Sequence, residues 1–158
     1  MEAFKRWVGA GFGSGYSPKA PGTVGSLFAL IPVYFVLQVS PVYGIIILVI
    51  ITSILTLWTS SACESAWGKD PGTMVMDEFA GQSLAFVSIS LTPELTTNFI
   101  ILIGGFVLFR FFDILKPLGI YQVQKAGGGW GILLDDIIAG FYAFLCLKTL
   151  IFIVPNFF

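Results

Sequence analysis

APGTVGSLFALIPVYFVLQVSPVYGIIILVIITSILTLWTSSA forms residues 20–62 and contains no Asp, Glu, Lys or Arg. A long stretch without charge is typical of membrane-spanning helices, each of which needs roughly 20 apolar residues. Ser40 and Pro41 interrupt this one near its middle. Because Pro disfavours helical geometry in the residue before it, the stretch divides into two spans. The sequence therefore predicts an integral membrane protein.

The composition of the whole chain supports the same prediction. Of its 158 residues, 56% are hydrophobic and only 11% are charged, and the mean hydropathy is +0.92. A soluble domain of this size could not bury so much apolar surface. The net charge of −1 does not favour a nucleic-acid partner, and the chain has no His for acid–base catalysis, phosphohistidine chemistry or metal binding. We expect one membrane-embedded domain over residues 1–158.

The fold predicted by hydropathy and breaker residues is all-α, a polytopic membrane helix bundle with about five spans. The third span is short for a hydrocarbon core of about 30 Å. If that segment lies at the interface, the number of spans falls to four. Gly-rich loops and Pro-containing turns separate the spans. The predicted spans are residues 24–39, 42–62, 78–91, 98–115 and 133–154.

Charged residues indicate how the bundle is oriented. With five spans, seven of the eight Lys and Arg residues lie on one side, together with both Gly-rich loops, while Lys148 lies within a span. Cytoplasmic loops are enriched in Lys and Arg, so this side is predicted to face the cytoplasm. The acidic residues collect on the same side, with Glu94 on the other. The positive-inside rule does not explain them, and acids at the ends of membrane helices are costly unless paired.

Five carboxylates are predicted to meet at three helix ends. Asp77 and Glu78 open one helix, and Asp113 lies at the end of another. Asp135 and Asp136 open a third. Hard divalent cations take oxygen ligands, and Mg²⁺ usually combines a few carboxylates with water and substrate phosphate. Acidic residues also occur at helix N-termini because they interact favourably with the helix dipole. The tandem pairs favour a metal site, and capping remains the alternative.

The segment RFFDILKP, residues 110–117, carries three charged residues at a spacing of three. Arg110, Asp113 and Lys116 therefore share one face of a helix. Arg can bind phosphate oxygens through two parallel hydrogen bonds, and Lys acts as a point charge, so Arg110 and Lys116 are candidate phosphate ligands. Cations that anchor a span at the membrane interface would show the same pattern.

Two Gly-rich loops lead into helices on the same side as the acids. The first, from Gly11 onward, adds Lys19 and Thr23 as candidate phosphate ligands near a helix start, where free N–H groups attract anions. It lacks the Gly-Lys-Ser/Thr run of a P-loop. The second, residues 127–131, leads towards the second tandem acid pair. A flexible linker would account for the first loop nearly as well.

Four segments together resemble the phosphatidylglycerophosphatase A family. They occur in the family's order over residues 11–140, so the match is more specific than any single motif. Gly119 departs from the pattern, in a loop where a second Pro is expected after Lys-Pro. The matching segments are SPKAPGTVGS (17–26), DPGTMVMDEFAG (70–81), FRFFDILKP (109–117) and GGGWGILLDDIIAG (127–140).

This resemblance implies a Mg²⁺-dependent phosphomonoesterase in a bacterial-type inner (plasma) membrane. It would convert phosphatidylglycerol phosphate and water into phosphatidylglycerol and phosphate. The five carboxylates would be metal ligands and catalytic groups, and Glu64 is similar to a further acidic position of the family. The nucleophile stays open between a water activated by the metal and an Asp side chain.

Two other classes of protein remain as alternatives. A divalent-cation transporter would also carry acids at membrane depth, but a permeation path should carry them near mid-span, where the sequence has none. A non-catalytic membrane subunit is the other alternative. The expected partners are the membrane and a phospholipid substrate, and the sequence leaves a homo-oligomer open.

Overall fold

The computed structural model describes residues 1–117, 119–120, 123 and 127–154. Within these ranges all regular structure is helical, which confirms the all-α prediction. A 3₁₀ segment, Gly11–Tyr16, joins the first two of the helices. The α-helices in the described ranges are α1 (Glu2–Gly9), α2 (Pro21–Val39), α3 (Tyr43–Trp67), α4 (Met76–Leu84), α5 (Leu95–Leu115) and α6 (Gly128–Ile153).

Four helices of the described chain, α2, α3, α5 and α6, are long and apolar enough to cross a membrane. Their boundaries lie close to the predicted ones except at the end of α3 and the start of α6. Helix α6 begins at Gly128, directly after the positive φ of Gly127 (75°). Asp135 and Asp136 therefore lie about two turns inside this helix and do not open it, which corrects the prediction.

The helix in the place of the predicted third span, α4, is shorter than predicted, so the number of about five spans is not confirmed. Helix α4 ends at Leu84, and Ser88 has a positive φ of 59°. The Ser88 N–H donates to the carbonyl of Pro41, in the turn between α2 and α3 (2.9 Å), and Lys148 Nζ donates to the carbonyl of Ser88 (2.7 Å). Non-helical backbone is tolerated at membrane depth where protein surrounds it.

Helix α4 lies at the centre of the bundle, and Met76 to Ser83 are all buried. Two glycines set its distance from α6. A Cβ added at Gly140 would overlap the carbonyl oxygen of Gly81, and a Cβ at Gly81 would lie 2.5 Å from the carbonyl oxygen of Asp136. The two helices begin at the same end of the bundle, so their backbones touch about one turn beyond the acidic residues.

The N-terminal region positions the start of α4. Helix α1, which the sequence analysis did not predict, packs on α3, and the Gly9 carbonyl accepts a hydrogen bond from the N–H of Val75 (2.9 Å). A Cβ at Gly15 would overlap the carbonyl of Thr73, and a Cβ at Gly25 would crowd the Val75 side chain. The first Gly-rich loop is thus packed tightly against residues 73–75 and is no flexible linker.

Candidate active site

A cavity of about 380 Å³ lies where α2, α4, α5 and α6 meet. All five carboxylates singled out in the sequence line it, together with two of the predicted phosphate ligands. Ala20 to Gly22 and the turn around Asp70 complete the wall. The predicted convergence of distant charged segments is therefore present in the structure. The charged side chains along the cavity, besides Asp70, are Asp77, Glu78, Arg110, Asp113, Lys116, Asp135 and Asp136.

Arg110 is held between two of these carboxylates. Its Nη1 forms ion pairs with Glu78 Oε2 and with Asp113 Oδ2, the latter at 2.7 Å. Ser26 Oγ donates to the same Glu78 oxygen at 2.5 Å, and Arg110 Nη1 lies 3.3 Å from that hydroxyl. Gly22 lies against the other Glu78 oxygen, where a Cβ would overlap Oε1. Glu78 is thus bound within the protein and fixes the orientation of the guanidinium.

Lys116 forms a second ion pair across the cavity. It follows α5 in a left-handed conformation (φ 44°), and its Nζ donates to Asp135 Oδ2 at 2.5 Å. Burial lowers the pKa of Lys116, but the hydrogen bond and the negative charge of Asp135 outweigh this effect and raise that pKa above its ordinary value. The side chain therefore carries a positive charge at neutral pH.

Several polar atoms at the cavity are buried and unpaired. In the described part of the chain, Asp77 Oδ1, Asp135 Oδ1 and Asp136 Oδ2 have no hydrogen-bond partner, and neither has Arg110 Nε. A buried carboxylate oxygen without a partner is costly, so each of these atoms indicates a place for a ligand or a cation.

These carboxylates fit a magnesium ion by the kind of donor they offer. No three acidic, His or Cys side chains among the described residues stand ready-made around a single metal position. Mg²⁺ needs fewer protein ligands than that, because it keeps several waters and takes one or two carboxylates plus substrate phosphate oxygens. The unpaired oxygens of Asp77, Asp135 and Asp136 are of the required type and lie in residues that line one cavity.

Three predicted site residues do not line the cavity. Lys19 is exposed, Thr23 is half-buried on α2, and Glu64 is half-buried on α3. Their roles in phosphate or metal binding stay predictions.

The structure also brings two unassigned residues to the site. Ser26 binds Glu78, and Asp70 lines the cavity. Both lie in motifs quoted above, but no spacing rule connects Ser26 with a residue 52 positions away.

The comparison with protein families decides among the alternatives. Residues 7–151 match the family model of phosphatidylglycerophosphatase A. The chain belongs to this family. The resemblance seen in the motifs is confirmed, the chain is a phosphatase, and neither the cation transporter nor the non-catalytic subunit is retained.

Three curated relatives cover most of the chain. The phosphatidylglycerophosphatase A of Haemophilus influenzae is 38% identical over 141 residues, 86% of this chain and 82% of its own. That of Escherichia coli is 35% identical over 136 residues, 84% of this chain and 75% of its own. A protein of Bacteroides thetaiotaomicron, provisionally named a phosphatidylinositol-3-phosphatase, is 37% identical over 146 residues, 90% of each chain. No solved structure matches.

Proposed function

We propose that this protein hydrolyses the phosphomonoester of phosphatidylglycerol phosphate in a bacterial inner membrane and releases phosphatidylglycerol and phosphate. We infer the reaction from the family to which the chain belongs and from the names of its relatives. The observation that carries the proposal in the structure is the charged cavity at one end of an otherwise apolar bundle. A phosphate group can enter this cavity while the rest of the lipid stays among the membrane helices.

We further propose that Mg²⁺ acts at this cavity. Asp77, Asp135 and Asp136 would hold it, since each offers a buried oxygen that lacks a partner among the described residues. A bound divalent ion supplies positive charge to the phosphoryl oxygens and helps to activate the attacking group. Without such a cation, the carboxylates would repel the phosphate.

Arg110 and Lys116 are proposed to bind the substrate phosphate. Both interact with carboxylates, which limits their motion and prepares them for an incoming anion. Arg110 Nε is buried and has no partner among the described residues, so one N–H remains for a phosphate oxygen. Helix α2 also begins at the cavity wall, and the positive end of its dipole favours an anion there.

A second candidate substrate is phosphatidylinositol 3-phosphate. The relative from Bacteroides thetaiotaomicron, whose name refers to that lipid, aligns over 90% of both chains. Both lipids carry a phosphomonoester on their head group, so the same cations and carboxylates would serve either. The two lipids differ in the alcohol that carries the phosphate, a glycerol in one and an inositol in the other.

Purified protein in mixed micelles tests the reaction and the substrate together. We expect phosphate release from phosphatidylglycerol phosphate with a higher kcat/KM than from phosphatidylinositol 3-phosphate, and very little from either lipid with Asp136→Asn as the control. A preference for the inositol lipid would change the proposed substrate but leave the proposed reaction, hydrolysis of a lipid phosphomonoester, in place. Release from neither lipid by the wild-type protein would contradict the proposed function.

We propose that the cavity faces the cytoplasm, because Lys and Arg residues collect at the same end of the bundle as the cavity. Lys125, one of the seven cations assigned to that side, lies outside the described residues. Lys69 is exposed and precedes Asp70 at the cavity, whereas exposed Glu94 caps the opposite end of α5. In a protein without Cys63 and Cys146, an impermeant thiol reagent should label Glu94→Cys in intact cells. It should label Lys69→Cys only after the membrane is opened, and the reverse pattern would contradict this orientation.

A further inference from the structure

An apolar groove of about 530 Å³ runs along the outside of the bundle between α2 and α5. We infer that this groove holds one acyl chain of the lipid substrate while the phosphate of the same molecule lies in the polar cavity. The inference rests on the proposed function and adds a binding site for the apolar part of the substrate. Its walls include Leu27, Ile31 and Phe35 of α2 and Phe99, Leu102 and Ile103 of α5.

The groove comes closest to the polar cavity along α2. On α2, Leu27 directly follows Ser26, whose hydroxyl binds Glu78. On α5, Ile103 and Phe99 lie about two and three turns before Arg110, which places all three residues on one face of the helix. The contact between Ser26 and Arg110 thus stands at the junction of cavity and groove. A ligand that reaches from one site into the other needs a charged head and an apolar tail.

The distance from the contact between Ser26 and Arg110 to the far end of the groove matches one leaflet of a membrane. Ser26 to Phe35 corresponds to roughly 13 Å along a helix axis, and Arg110 to Phe99 to roughly 16 Å. Half of a hydrocarbon core of about 30 Å is about 15 Å. A lipid whose phosphate lies near Arg110 would therefore place one acyl chain along the groove as far as about the middle of the bilayer.

Obstruction of the groove provides the first test. Ile31 is 56% exposed in the groove, and Ile54 is 60% exposed on α3, away from it, so Ile31→Trp and Ile54→Trp form a matched pair. With dioleoyl phosphatidylglycerol phosphate, we expect KM to rise about tenfold for Ile31→Trp, the effect of losing about two buried methylene groups. With the deacylated substrate, glycerophosphoglycerol phosphate, neither variant should change KM. Equal KM values for the dioleoyl lipid in both variants would overturn the inference.

Protection of a cysteine tests occupancy without turnover. In a protein that lacks Cys63 and Cys146 but keeps Asp136, with Mg²⁺ present, we expect a dioleoyl phosphonate analogue of the substrate, which is not hydrolysed, to slow the reaction of Ile31→Cys with an apolar maleimide. Dioleoyl phosphatidylcholine should not slow it, and Ile54→Cys should react equally with both lipids present. Equal protection of Ile31→Cys by the two lipids would show ordinary bilayer lipid in the groove and overturn the inference.

The two proposals fail in different ways. If wild-type protein releases no phosphate from either lipid, the proposed function fails, while the protection assay still reports whether the phosphonate analogue occupies the groove.

Discussion

The two tandem acid pairs, Asp77-Glu78 and Asp135-Asp136, look alike in the sequence. In the structure, however, the two acids of each pair differ in their ion-pair partners. Glu78 is paired with Arg110, and Asp135 with Lys116. Asp77 and Asp136 form no ion pair in the described part of the chain, and each has a buried oxygen without a hydrogen-bond partner. In each pair, one acid is bound to a cation and the other is open to a ligand.

This difference suggests a division of roles. Glu78 fixes Arg110 and is itself fixed by Ser26, so its main effect is to orient a phosphate-binding group. Asp77 and Asp136 would be the better ligands of the proposed metal, because each has a buried oxygen that need not give up a hydrogen-bond partner in the described part of the chain when a cation binds. Asp135 takes both roles, since one oxygen accepts from Lys116 and the other is unpaired.

Removal of the metal should have the largest effect. If the unpaired oxygens bind a divalent cation, dialysis against EDTA should abolish phosphate release from purified protein, and Mg²⁺ should restore it. Full activity in EDTA would break the assignment of Asp77 and Asp136 as metal ligands.

Substitution of the open acids comes next. Asp77→Asn and Asp136→Asn keep the shape of the side chain and remove its charge, so kcat should fall by about 10²-fold or more, as for other main electrostatic groups. Immunoblots of membranes should show normal amounts of both variants. If both kept wild-type turnover, the metal would have to lie elsewhere.

Arg110 tests the acids that form ion pairs. Arg110→Lys keeps the charge but loses the planar fork that reaches Glu78, Asp113 and the phosphate together, so kcat/KM should fall about tenfold or more at normal protein level. An anchor at the interface would tolerate Lys. Near-normal kinetics for both Arg110→Lys and Lys116→Ala would therefore identify the segment as an anchor.

The smallest effect is expected at the residues outside the cavity wall. Neither side chain lines the cavity, so any contact of Lys19 or Thr23 with the phosphate would be made in water, and Lys19→Ala and Thr23→Ala should lower kcat/KM by roughly twofold at most. A loss as large as that of Arg110→Lys would show that the first Gly-rich loop moves onto the substrate.

Hydropathy and turn residues were sufficient to predict the four long helices, because apolar stretches of about 20 residues are rare outside membrane-spanning helices. They failed at residues 85–91, which are apolar enough to extend a helix but form turns and irregular backbone after Leu84. Helix α1, with eight residues, is far shorter than a membrane span, so hydropathy did not reveal it. Whether a segment at this depth is helical depends on what surrounds it, and the sequence of the segment alone does not contain that information.

The sequence was sufficient to identify most residues of the site, but not to predict which of them contact each other. The five carboxylates and both cations could be found from their concentration on one predicted side of the membrane and from the family resemblance. The choice of partners could not, since the contact of Glu78 with Ser26 and Arg110 depends on how α2, α4 and α5 pack. Asp70 was missed because Asp before Pro-Gly is typical of a turn whatever else it does.

The enclosure of α4 also has a consequence for biosynthesis. With Asp77, Glu78 and Gln82 within nine residues, α4 is a poor candidate for independent insertion into lipid. Its most extensive packing is with α6, the last helix to leave the ribosome among those described. We therefore expect α4 to remain accessible to proteases during synthesis until α6 arrives, so that the insertion of α6 also completes the charged cavity.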